Sequence, residues 1–145
     1  MAKRSILFRG WNKKNKKWLY GYYCVNRGEH FIAPDEFVNP LASYEDYVVE
    51  ADTVGQYTGI DDSNGKHIYE GDILFVKVLR ADNYFEYNTD VIFEDGAFWI
   101  KGENTNDYDT LLYAYINPTS PLVELEVVGN VFSNPEILKG GSNEA

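Results

Sequence analysis

An all-β or mostly β fold, built from antiparallel hairpins and with short helical turns only, is what this sequence predicts. Three observations carry that reading. Asn64-Gly65 and Asp95-Gly96 are pairs suited to the positive-φ positions of tight turns, and each separates short runs of β-branched and aromatic residues. Hydrophobic residues make up 44% of the chain and aromatic ones 16%, with twelve Tyr and eight Phe, which suits a packed β-rich core rather than a disordered chain. The apolar runs have strand length: residues 73–79 are interrupted only by Lys77 and read as a strand buried on both faces.

In chain order, residues 5–11 and 18–25 read as two aromatic-rich strands of an N-terminal hairpin. Alternation puts Ile6, Phe8 and Gly10 on one face and Leu7, Arg9 and Trp11 on a mixed, partly exposed other face. Residues 26–29 form a turn and 30–32 a short strand. Residues 35–38 could hold one helical turn, which Asn39-Pro40 stops. Ser43 and Asp46 have capping-box spacing, with the shorter acid, and favour a helical turn before Tyr47-Val48-Val49 extends. Residues 54–60 and 68–69 flank a reversal at 61–66, and Glu70-Gly71-Asp72 is a second turn.

Beyond this lies a meander: strands at 84–87, 91–93 and 98–100, a polar loop at 101–109, a strand at 111–116, and a rigid connection through Pro118 and Pro121. Val123, Leu125 and Val127 alternate with Glu124 and Glu126 as a half-buried last strand, and Gly129 allows a bulge or the close approach of a neighbour. Ser133 or Asn134 can cap a final helical turn with Pro135 at its first position; residues 139–145 are a frayed tail. The expectation is a single β-rich domain over 1–138, in which an N-terminal hairpin region, 1–58, packs on a small SH3-like or otherwise rolled-up barrel, 59–132. Repeats and long polar linkers are lacking.

Two stretches resemble a known family. TVGQYTG followed by NGK and IYEGDI, within residues 53–73, and LEVVGNVFSNPEIL at 125–138, are similar to the signature of the YopX family, small proteins carried by phages and prophages of Gram-positive bacteria; the likeness runs from about Ile6 to Leu138. It implies a mostly β fold and a phage origin. The family brings no established activity, so it assigns no catalytic residue.

Charge is unevenly spread. The net charge is −10, yet residues 1–17 hold seven basic and no acidic residues, which leaves six basic and 23 acidic ones, a net of −17, for the rest. A basic tip of this kind either meets an anionic partner or pairs with the chain's own acids. Lys13, Lys14, Lys16 and Lys17, flanked by Trp11 and Trp18, are the candidate nucleic-acid contacts; the plainer reading is a solvated hairpin tip with a cross-strand Trp pair.

Catalytic and metal chemistry find no support. His30 and His67 carry no marker that places them beside Cys24 or a serine, and one Cys with two scattered His lacks paired zinc-ligand spacing. If Asp62, Asn64 and Gly65 were the third, fifth and sixth positions of a calcium loop, the first and twelfth would be Ile60 and Gly71, neither of which supplies a carboxylate. No cofactor is expected. With a single cysteine, no apolar leader and no long apolar run, a cytoplasmic protein without membrane attachment is expected. The leading expectation is a phage-associated, non-enzymatic binding or accessory protein whose acidic, Tyr-rich surface meets a basic host or phage protein. Weak nucleic-acid association through the basic tip and an enzyme of unknown reaction are the alternatives, and self-association is compatible with all three.

Overall fold

The computed structural model describes residues 3–34, 43–80, 82–101, 108–110 and 122–140. Among the described residues strands dominate, every pairing with a recorded register is antiparallel, and helical structure is limited to single turns. Two compact units divide the chain, Met1–Gly59 and Ile60–Ala145.

In the first unit β1 (Phe8–Asn12), β2 (Lys17–Asn26), β3 (Glu29–Ala33), β4 (Val48–Val49) and β5 (Gly55–Asp61) lie in the order β4-β3-β2-β1-β5. The predicted N-terminal hairpin holds, with Trp11 opposite Trp18 and Asn12 opposite Lys17. Its predicted alternation holds for the paired residues: Phe8 packs against the core of Leu19, Ile32 and Val49, together with Tyr23 and Val54. Arg9 and Trp11 share the other face with Trp18 and Tyr20. The helical turn expected at Ser43 is a 3-10 turn, Tyr44–Asp46, and the Ser43 N–H donates to Asp46 Oδ2 at 3.0 Å, the carboxylate arm of the capping box. The turn expected at 35–38 lies outside the described residues.

In the second unit β5 ends at the predicted reversal and is followed by β6 (His67–Tyr69), β7 (Asp72–Arg80), β8 (Asn83–Asp90), β9 (Ile92–Glu94), β10 (Ala97–Lys101), β11 (Tyr108–Thr110) and β12 (Leu122–Asn130). Two three-stranded sheets result, β11-β10-β9 and β12-β7-β8; among the described residues these do not close into a barrel. The core collects Ile68, Leu74, Val76, Val78, Val91, Ile100 and Leu125. Asp95 and Gly96 both take positive φ, 51° and 80°, and close the β9–β10 hairpin with Glu94 opposite Ala97. At the other predicted turn only Gly65 does so, at 82°.

Two expectations need correction. β7 is buried on both faces only at its start, where Ile73 and Leu74 are fully buried; beyond it Val76 and Val78 join Leu74 in the core, while Phe75, Lys77 and Leu79 are half-buried on the opposite face. The interrupting Lys77 marks that face, since an ammonium resists full burial. The polar loop expected through Asp109 ends sooner, because Tyr108–Thr110 already pairs with β10; the strand expected at 111–116 lies outside the described residues.

The predicted bulge near Gly129 is present as a register shift between Val127 and Gly129. A Cβ at Gly129 would stand 2.7 Å from Asn134 Oδ1, so glycine is what lets that side chain lie against the strand. Asn134 does not use its side chain to cap the turn that follows at Glu136–Gly140. Its Oδ1 accepts from the Asn130 N–H at 3.3 Å, and its carbonyl takes the Ile137 N–H at 3.1 Å.

Candidate binding surfaces

The lysine tip is a four-residue loop, 13–16, between β1 and β2, and it is tied down by groups distant in sequence. Asn12 is buried: its Nδ2 donates to the carbonyls of Glu45 (3.1 Å) and Val48 (2.7 Å), and its Oδ1 accepts the Asn15 N–H at 2.7 Å. Lys14 reaches the 3-10 turn, with Nζ 2.9 Å from Asp46 Oδ1, 3.8 Å from Glu45 Oε2 and 3.3 Å from Ser43 Oγ. Asn15 Nδ2 adds a bond to the same Asp46 oxygen at 3.1 Å. Hydrogen bonds from Lys14, Asn15 and the Ser43 backbone hold the Asp46 carboxyl down at about 2, and the Asp46 bond raises the Lys14 ammonium above its ordinary value. The six residues predicted for nucleic-acid contact thus divide. Lys14 is committed to the chain's own acids, Lys13, Lys16 and Lys17 are exposed, and Trp11 and Trp18 pack edge to face at 5.5 Å with the Arg9 guanidinium 4.9 Å from the Trp18 ring centre.

Beside the tip, within the first unit, lies a cleft of about 300 Å³ lined by Asn12, Lys13, Lys14, Glu29, Tyr44, Glu45, Val48, Val49 and Glu50. No local pattern announces it, because its walls come from β1, β3, β4 and the 3-10 turn.

In the second unit the outward face of β12-β7-β8 gathers three glutamates and one exposed tyrosine, Tyr84, whereas the exposed Tyr20, Tyr22 and Tyr44 belong to the first unit. Register sets Lys77 between Glu124 of β12 and Glu86 of β8, with Glu126 opposite Phe75. Glu86, Glu124 and Glu126 are exposed, as is Tyr84 at 58%, and Lys77 Nζ sits 4.4 Å from the Tyr84 ring centre. The charge asymmetry follows the same division, with eight basic and seven acidic residues in Met1–Gly59 against five and sixteen in Ile60–Ala145.

Within the stretch 53–73 two buried carboxylates bind backbone amides. Asp62 is buried, and its carboxylate accepts the N–H groups of Asn64 (2.9 Å), Lys66 (2.9 Å) and Val127 (3.0 Å). Ser63 completes the link to β12: its N–H donates to the Leu125 carbonyl at 2.8 Å and its Oγ accepts the Leu125 N–H at 3.0 Å. Burial pushes the Asp62 carboxyl up, and the three backbone N–H groups outweigh it and hold the carboxyl below its ordinary value. Asp72, also buried, accepts the Tyr69 N–H at 2.7 Å.

His30 and Cys24 stand on neighbouring strands but opposite faces. His30 pairs in register with Val25 and Cys24 with Phe31, and the His30 Nδ1 lies 2.6 Å from the Tyr23 hydroxyl. His67 pairs with Asp61 at the β5–β6 hairpin. Among the described residues no group of three or more His, Cys, Asp or Glu is arranged to hold a metal ion, and no helix is long and apolar enough to cross a membrane.

No curated protein matches the chain. Among solved structures it is similar to the crystal structure of protein EF1440 from Enterococcus faecalis, with 21% identity and a TM-score of 0.50 over 94% of this chain and 99% of that one; the likeness is one of fold. The sequence matches the family described as YopX protein over residues 7–139, a span that takes in both units and both stretches of resemblance, and the chain belongs to the YopX family.

Proposed function

We propose that this is a phage-associated, non-enzymatic accessory protein of the bacterial cytoplasm that binds a basic protein partner. The supporting observation is the outward face of β12-β7-β8, where exposed Glu86, Glu124 and Glu126 surround half-buried Phe75 and exposed Tyr84. Partly desolvated aromatics anchor protein interfaces, and surrounding like charges select a partner of opposite sign and speed its arrival. The tip supports nucleic-acid contact less well, since Lys14 is already neutralised by Asp46 and the chain as a whole carries a net charge of −10.

The test is affinity capture from induced or infected host cells, comparing the wild-type chain with Glu86→Lys/Glu124→Lys/Glu126→Lys. Recovery of a basic protein by the wild type and its loss in the variant support the reading. Identical recoveries by both chains, or a partner retained through Lys13, Lys16 and Lys17, overturn it.

A further inference from the structure

The cleft beside the hairpin tip has the composition of a receptor for one cationic side chain. Its size, about 300 Å³, stands at the lower limit for ligand sites and suits a single side chain better than a cofactor. Val48 contributes an apolar lining and Tyr44, 60% exposed, an aromatic one, whereas the Val49 side chain is committed to the core with Leu19 and Ile32; Glu29, Glu45 and Glu50 add three carboxylates. Of the two lysines at the site, Lys14 is engaged by Asp46 at 2.9 Å and by Glu45 at 3.8 Å, so Glu29 and Glu50 are left with one uncommitted ammonium, that of Lys13. Among the described residues neither Glu29 nor Glu50 has an ion pair. We infer that this cleft binds an arginine side chain of a basic polypeptide. The methylene stem would lie on Val48 and the guanidinium would stack on Tyr44 and hydrogen-bond to Glu29 and Glu50, a combination that suits the planar fork of arginine better than the compact ammonium of lysine. The site is in the first unit and does not depend on the sheet-face reading, although a basic partner could engage both.

The probe is the capped tripeptide Gly-Arg-Gly, titrated into the uniformly 15N-labelled full chain, with Gly-citrulline-Gly as the neutral counterpart of nearly equal shape. Saturable amide shifts confined to Asn12, Glu29, Tyr44, Glu45 and residues 48–50 are expected, with a dissociation constant on the order of 1 mM. Glu29→Gln/Glu50→Gln and Tyr44→Ala, all at exposed positions, should each weaken binding several-fold while leaving the remaining spectrum in place. Glu124→Lys/Glu126→Lys should bind the peptide as the wild type does, so this site and the sheet face fail separately. Equal shifts from the citrulline peptide, no saturation with the arginine peptide, or displacement of the peptide by inorganic phosphate through Lys13 and Lys14 would each overturn the inference.

Discussion

Asp62 is the side chain on which the central hairpin and the last strand depend together, and its removal has a calculable consequence. Asp62→Ala deletes the acceptor of three backbone N–H groups, those of Asn64, Lys66 and Val127. Hydrogen bonds to a charged group contribute about 1.5 to 3 kcal/mol each but do not add fully, and a donor regains part of that where water can reach it. The Asn64 and Lys66 amides belong to an exposed turn and are rehydrated, whereas the Val127 N–H lies within β12 and is less accessible. A loss of about 3 kcal/mol is therefore expected for alanine, and about 2 kcal/mol for Asp62→Asn, which keeps one acceptor oxygen but turns an amide donor toward donors; a typical domain has about 5 to 15 kcal/mol in all. Urea unfolding followed by circular dichroism measures both. The pH dependence supplies a second check. Because the folded carboxyl titrates below its ordinary 3.8, its contribution is fully present above that value and is lost as pH falls through the lower folded value. The gap between wild type and Asp62→Asn should accordingly be constant near neutrality and close in acid below 3.8. A gap under about 1 kcal/mol at pH 7, or one that persists unchanged to about pH 2.5, would refute the assignment of Asp62 as an ionised acceptor of three bonds.

Gly129→Ala should destabilise the chain by about 1 to 3 kcal/mol by driving Asn134 off the strand, and Asn134→Ala in the same chain should recover part of that loss; additive urea-midpoint shifts would disprove the contact. Leu125→Ala, at a fully buried site, should cost about 2 to 5 kcal/mol, whereas Phe75→Ala on the outward face should cost clearly less; equal midpoints for the two variants would contradict the facing of β7. The chain should not bind random duplex DNA tightly at physiological salt, since three exposed lysines imply a log-log salt slope of only about −2.7. Submicromolar binding that survives Lys13→Ala/Lys14→Ala/Lys16→Ala/Lys17→Ala would overturn this account of the tip.

Local chemistry was enough to read the N-terminal hairpin, β7, β12, the Asp95-Gly96 turn, the Ser43 cap and the Gly129 bulge from sequence, though not β11, because strand periodicity, positive-φ tolerance and capping are decided within a few residues. Family membership is legible in the same way, in the wording of residues 53–73 and 125–138. What the sequence left open was which distant groups meet. Periodicity shows that β7 has two faces but not that one of them stays half-exposed, a matter decided by what packs on it. Nothing near residue 14 says that Lys14 is claimed by Asp46, 32 residues away, or near Asp62 that its third donor is Val127, 65 residues away. The cleft is assembled from β1, β3, β4 and the intervening 3-10 turn, so it exists only once β3 has paired with both β2 and β4. Backbone conformation is fixed by neighbours in sequence; ion pairs, buried acceptors and clefts are fixed by neighbours in space, and only tertiary pairing brings those together.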